Sequence, residues 1–349
     1  MMGRGRVGRL VRALGERREA LLLALAALAL AATFLGPGVQ ALRPQLELVV
    51  VLDITQSMNV VDASVAGKPV SRLAAAKLAL EHLLDALPCG SKIGWGLFTE
   101  HRSFLLLSPI EVCEHHRELR DELRRIDGRM AWSGNSEVAK GLNSGMQIAK
   151  ALDAQPALVF VTDGHEAPPI NPRYRPNFSL ARGDVRGLIV GVGGETPLPI
   201  PKVDPLGRPL GEWGADEVMQ IDPRSQGRGG SVSGEQMADD DERIVAPLPG
   251  ASPGNEHLSS LREGYLELLA SETGLIYVRL AGEASLANIL AEHALESSLA
   301  RPAPTRVDLR ALLAAAAALL LLWPLLAAWR GARTGRRART TRDASHHAR

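Results

Sequence analysis

The chain has 349 residues, 46% of them hydrophobic, and a formal net charge of +1. That is enough chain for a sizeable buried core, and the composition excludes a collagen, a disulfide-dense mini-protein and a wholly disordered chain. The charge is segregated: residues 1–18 hold six arginines against one glutamate and residues 330–349 hold seven against one aspartate, leaving a middle of about −10 that argues against nucleic-acid binding by the main domain.

In chain order, residues 1–19 form a basic tail and residues 20–42 a membrane anchor or signal sequence. The apolar run Ala20–Leu35 ends at Gly36-Pro37-Gly38, and Val39-Gln40-Ala41 is an acceptable cleavage site. From residue 46, strands and helices alternate. Leu46–Leu52 is a continuous apolar, β-branched run, as expected of a strand buried on both faces. Ser71–Leu87 has apolar residues at helical spacing and stops at Pro88-Cys89-Gly90. Lys92–Thr99 and Phe104–Ser108 read as a hairpin, which supplies one antiparallel edge. Helices are predicted over Glu114–Ile126, Glu137–Leu152 and Leu261–Ser271, and strands over Ala157–Thr162, Gly187–Val192 and Leu275–Leu280.

Such alternation predicts one Rossmann-like α/β domain over 43–306, with a mainly parallel central sheet and helices on both faces. Residues 194–260 interrupt it with a proline-, glycine- and acid-rich insertion, including Asp239-Asp240-Asp241-Glu242. Residues 307–329 read as a transmembrane helix, its apolar run Leu309–Trp329 broken only by Arg310 and Pro324, and 330–349 as a second basic tail. Arginine outside both apolar runs puts the two tails in the cytoplasm and the 43–306 domain in the periplasm of a bacterial inner membrane.

Ligands of an open α/β sheet gather at the carboxyl ends of its strands. Asp53-Ile54-Thr55-Gln56-Ser57 follows the first strand, Asp163-Gly164 follows Ala157–Thr162, and Ser133-Gly134-Asn135-Ser136 precedes a helix between them. Two carboxylates and several hydroxyls, without nearby histidine or cysteine pairs, suit Mg²⁺ first, or Ca²⁺ or Mn²⁺ in a roomier site. Taken one loop at a time, capping and local hydrogen bonding explain the same residues.

Asp53-x-Thr55-x-Ser57, a later hydroxyl before a helix and Asp163-Gly164 together resemble the metal-ion-dependent adhesion site of von Willebrand factor A (VWA) domains. The resemblance implies Asp53, Thr55, Ser57, Ser136 and Asp163 as the metal set. Ser136 is chosen because Ser136-x-Val138-x-x-Gly141-Leu142 matches the family's T-x-I-x-x-A-L spacing. Thr55 stands where the family has serine and Ser136 where it has threonine, and both keep a hydroxyl. In the family an outside carboxylate completes the ion's shell, so Trp132, Asn135, His165 and Glu166 are expected at a partner-binding rim.

Arg72-Leu73…Lys77, Gly191-Val192-Gly193 before Pro199-Ile200-Pro201, and Glu272-Thr273-Gly274 are similar to bacterial VWA proteins encoded with MoxR-type ATPases. Leu87–Ser91, Ile126–Trp132 and Val161–Pro169 further resemble the MxaL-type members of methanol-oxidation clusters. That resemblance implies a periplasmic client, methanol dehydrogenase in the narrowest reading, whose maturation includes calcium insertion. It also implies other VWA proteins and a MoxR-type ATPase, contacted indirectly or through the tails, as partners. The alternative is a scaffold component of a MoxR ATPase–VWA membrane complex with a different client.

Cys89 and Cys113 fit no zinc spacing; in the implied fold both lie at the pole opposite the metal, and a disulfide is expected. No rim residue supplies an obvious general base, so a binding module rather than an enzyme is expected. G-x-G-x-x-G at 3–8 and G-x-S-x-G at 250–254 sit in the wrong context for nucleotide binding or hydrolysis.

Overall fold

The computed structural model describes residues 4–170, 175–204, 206–220, 254–280, 286–296 and 299–323. The acidic run Asp239–Glu242, the end of the second apolar run and the 330–349 tail lie outside them. In chain order the elements are α1 (Arg4–Phe34), β1 (Gly38–Asp53), the hairpin β2 (Ala63–Val65) and β3 (Lys68–Val70), and α2 (Arg72–Ala86). Next come β4 (Lys92–Thr99), β5 (Arg102–Glu111), α3 (His116–Arg125), α4 (Val138–Ala151), β6 (Ala157–Thr162) and β7 (Gly187–Val192). Four short strands follow, β8 (Leu198–Pro199), β9 (Pro201–Val203), β10 (Pro209–Glu212) and β11 (Leu258–Ser259). The last elements are α5 (Glu263–Thr273), β12 (Ile276–Leu280), α6 (Leu286–Glu296) and β13 (Ala300–Asp308).

The main sheet runs β12-β7-β6-β1-β4-β5, with β13 also paired to β1. The pairs from β12 through β4 are parallel, and β5 alone on this path is antiparallel to its neighbour. The continuous apolar strands follow from a sheet covered on both faces. Leu48, Val50 and Leu52 of β1 pack into one core with Leu80 and Leu84 of α2, Leu119 of α3 and Leu290 of α6. Val49 and Val51 point the other way, into a core with Leu142 and Met146 of α4 and Leu266 and Leu269 of α5. Both alternating sets must therefore be apolar.

Local chemistry fixes the element ends. Ser71 caps α2 by accepting a hydrogen bond from the Ala74 amide at 3.2 Å. Lys77 donates to the Arg124 and Ile126 carbonyls at 2.8 and 2.6 Å, satisfying the end of α3. At Gly141 an added Cβ would lie 2.2 Å from the Phe98 ring, so glycine there is what lets α4 sit close on the sheet.

The chain divides into two compact units, Pro44–Pro302 and Met1–Arg43 with Ala303–Arg349. The first holds the α/β body. The second contains α1, whose Leu21, Leu23, Leu25, Leu28 and Phe34 are exposed, and helical residues 310–323, where Leu312, Leu319 and Trp323 are exposed. Among the described residues no helix is long and apolar enough to cross a membrane. Ala20–Phe34, the apolar part of α1, spans about 22 Å at the helical rise, against roughly 30 Å of hydrocarbon. The two expected transmembrane helices are thus unsupported within the described residues.

Candidate functional site: three loops at one sheet edge

Parallel pairing brings the ends of β1 and β6 side by side, and with them Asp53 and Asp163. Asp53 is fully buried, and each of its oxygens has a job. Its Oδ1 accepts from the Thr55 amide at 2.8 Å and the Thr55 hydroxyl at 2.7 Å, which folds the loop into a short 3₁₀ turn over Gln56–Asn59. Its Oδ2 accepts from the Thr162 hydroxyl at 2.6 Å, and Thr162 Oγ1 in turn accepts from the Gly164 amide at 3.0 Å. The first and third loops are therefore stitched together through Asp53. Thr55 Oγ1 and Ser57 Oγ lie 3.4 Å apart, and Ser57 hydrogen-bonds to the Asp163 carboxylate.

Ser136 joins from the second loop. Its backbone exchanges hydrogen bonds with Ala167 at 2.6 and 2.8 Å, and the next amide, of Glu137, donates to the Glu100 carbonyl at 2.5 Å. The residue is pinned between the β4–β5 turn and the segment after Asp163. Its hydroxyl is buried and has no hydrogen-bond partner. Burying a hydroxyl unpaired is costly, so its presence needs a reason.

Asp163 has a partner that the motif spacing does not disclose. Arg72, fully buried at the start of α2, donates to Asp163 Oδ2 at 2.5 Å and to the Ser259 hydroxyl at 2.6 Å. Its Nη2 and Nε meet Asp62 at 2.6 and 3.0 Å. Burial alone would raise the Asp163 pKa, but the Arg72 charge outweighs it and holds Asp163 below the ordinary carboxylate value. Among the described residues no such cation pairs with Asp53. Burial and then repulsion from Asp163 push its pKa well above the ordinary value.

A pocket of about 140 Å³ opens above these loops. Thr55, Ser57 and Ser136 form its floor, Gln56, Asn135 and His165 its sides, and Ile200, Trp213 and Val218 of the insertion arch over it. The described part of the insertion is thus a roof, although its sequence shows no strand periodicity. It is latched at both ends. Trp213 Nε1 donates to Gln56 Oε1 within the first loop, and the Arg72–Ser259 bond holds the other end.

The expected rim residues separate. Asn135 and His165 line the pocket, with His165 buried and held neutral, its pKa lowered by burial to about 4. Trp132 is exposed but lies outside the pocket lining, tilted against Phe104 and donating to Glu100 at 2.9 Å. Glu166 faces inward rather than toward a partner, and this corrects the expectation for it. Its Oε1 accepts from the Tyr265 hydroxyl at 2.7 Å and from the Ala139 amide near the start of α4 at 3.0 Å. Burial pushes its pKa up to about 8. At the opposite end of the sheet a disulfide joins Cys89, before β4, to Cys113, after β5.

A divalent ion suits the donor set. Thr55, Ser57 and Ser136 offer neutral hydroxyl oxygens, one of them otherwise unpaired, and Asp53 and Asp163 offer negative charge beside them. With Arg72 and its second carboxylate partner Asp62 counted, the ionised site carries −2, and a divalent ion would bring it to neutrality.

Residues 48–165, which contain all five candidate ligands, match the family model of the von Willebrand factor type A domain. Among solved structures the chain is similar to the conserved hypothetical protein BatB from Bacteroides thetaiotaomicron, at 18% identity over 72% of this chain and 98% of that one, with a TM-score of 0.46. It is also similar to an aerotolerance-related membrane protein from Bacteroides fragilis, at 19% identity, the same coverage and a TM-score of 0.43. An uncharacterized membrane-spanning protein from Vibrio fischeri aligns at 18% identity over 72% of this chain and 99% of that one, with a TM-score of 0.26. No curated protein matches the chain in sequence.

Proposed function

We propose that this chain is a non-catalytic, membrane-anchored binding module, which uses a divalent cation, Mg²⁺ by donor chemistry, to grip an acidic residue of a partner protein. The observation that carries the reading is the buried, partnerless Ser136 hydroxyl beside the Asp53, Thr55, Ser57 and Asp163 cluster, delivered by loops far apart in sequence. When bound, the cation supplies the positive charge that an outside carboxylate seeks. The chain's own residues do the rest. Asp53 orients Thr55, Arg72 fixes Asp163 in its ionised form, and the backbone around Ser136 holds its hydroxyl in place.

The exposed leucines of α1 and residues 310–323, with the arginine-rich first half of α1, favour attachment to a membrane and a periplasmic α/β body. The narrower reading, a factor for calcium loading of a methanol dehydrogenase acting beside a MoxR-type ATPase, rests on the sequence motifs alone.

Titration with Mn²⁺ as a paramagnetic substitute tests the site. Wild-type protein should bind about one ion, and Ser57→Ala or Asp53→Ala should weaken that by at least about 100-fold, roughly 2.7 kcal/mol. The circular dichroism spectrum should stay unchanged. Equal Mn²⁺ affinity in wild type and both variants would remove the cation from the mechanism.

A further inference from the structure

The roof gives the site a shape as well as a charge. We infer that the roofed pocket selects an alkyl carboxylate, a carboxyl group on a stem of two or more methylenes, over a bare carboxylate such as acetate. This rests on the cation reading, and it follows from three features of the pocket.

The first is charge. A divalent ion offsets Asp53 and Asp163 while Arg72 offsets Asp62, so the loaded site is neutral and a monocarboxylate adds less negative charge to it than a dianion. The acids on the roof side do not reverse this. Glu217 pairs with Lys202, and Glu256 lies 3.6 Å from the Arg262 guanidinium. The second is size. A cavity of about 140 Å³ is close to the roughly 150 Å³ of an engineered cavity that admits benzene. The space therefore suits an occupant of about six heavy atoms, comparable to butyrate or the end of a glutamate side chain, and excludes a flat protein surface.

The third is the apolar wall. The Thr55, Ser57 and Ser136 hydroxyls share the lining with an apolar wall of Ile200, Trp213, Val218 and Pro168, and the Glu217 and Glu256 carboxylates beside that wall each lie against a cation. A carboxylate at the floor places its methylene stem against that wall. The wall is held by structure rather than by chance collapse. The Trp213 amide donates to the Ile200 carbonyl at 3.0 Å, its indole is latched to Gln56, and Lys202 lies 4.5 Å over its ring.

The test uses the full chain loaded with Mn²⁺, titrated calorimetrically with acetate and butyrate. Wild type should prefer butyrate about 5- to 10-fold, as two partly buried methylenes predict. Trp213→Ala should bring the two acids to within about 2-fold, whereas Trp213→Phe, which keeps the apolar wall, should restore the preference. Equal affinity for the two acids in wild type, or a preference that survives Trp213→Ala, overturns the inference while leaving the cation reading intact. Failure of wild type to bind Mn²⁺ at all would instead overturn the reading beneath it. Adding N-acetyl-Gly-Glu-Gly-amide and its Asp counterpart distinguishes the source. Glu-over-Asp preference at butyrate-like affinity assigns the pocket to a protein side chain, and binding of butyrate alone assigns it to a free acid.

Discussion

Glu166 stands three positions after Asp163, yet it turns into the core, where burial outweighs the hydrogen bonds from Tyr265 and the start of α4. Its pKa of about 8 exceeds the ordinary 4.5, so the folded protein holds a proton that the unfolded chain has already lost between those values. The stability that this proton provides is complete below about pH 4.5, falls as pH rises toward 8, and falls no further above it. Glu166→Gln keeps the shape and removes the titration. Its melting temperature should therefore gain on wild type progressively from pH 5 to pH 8, by a few degrees at the upper end, and parallel curves would refute the assignment. His165 works in the opposite sense, its lowered pKa favouring the fold as pH rises through about 4 to 6.5, and it is common to both proteins.

Arg72 was legible only as part of a helix motif. It lies 19 positions after Asp53 in sequence and 91 before Asp163, so no local spacing links it to either. One feature could have exposed it. A cation in the first turn of a helix opposes the helix dipole, and its presence there implies strong negative charge nearby.

The elements divide by how their residues declare themselves. Strands β4, β6 and β7 fall on their predicted runs, Lys92–Thr99, Ala157–Thr162 and Gly187–Val192, because a strand buried on both faces admits almost nothing polar. The short strands β8 to β11 escape prediction because proline and charge fill them and their pairing is set by distant segments, as when Leu258 meets Pro199. Helix α6 and strand β13 also go unpredicted, although Leu286 and Leu290 are four apart and both buried. The β4–β5 pair is closed by the Cys89–Cys113 bridge, which spans 24 positions. A loop of that length corresponds to about 3 kcal/mol of denatured-state restriction. The Cys89→Ser/Cys113→Ser double variant should lose about that much in urea unfolding while keeping Mn²⁺ affinity, because the bridge lies at the pole opposite the cation site. Loss of Mn²⁺ binding in that variant would show the two poles to be coupled.

For the whole molecule, the division into a Pro44–Pro302 unit and a terminal unit would, on the proposed function, separate binding from attachment. All five candidate ligands and the entire pocket lining lie within Pro44–Pro302. A fragment of residues 44–302 should bind Mn²⁺ within about 3-fold of the full chain and remain in the supernatant after centrifugation with anionic lipid vesicles. The full chain should pellet with the vesicles. A fragment that folds but binds Mn²⁺ far more weakly would assign part of the site to the terminal unit.

Sequence by itself determined the α/β class, the parallel centre of the sheet and the three loops carrying hydroxyls and carboxylates. Each is written in local periodicity or in the residues that follow a strand. Only the tertiary structure decided that Arg72 compensates Asp163, that Glu166 faces inward and that the insertion roofs the site. Those facts depend on which distant segments share a volume, where burial and charge pairing, not spacing along the chain, set the energy of each group.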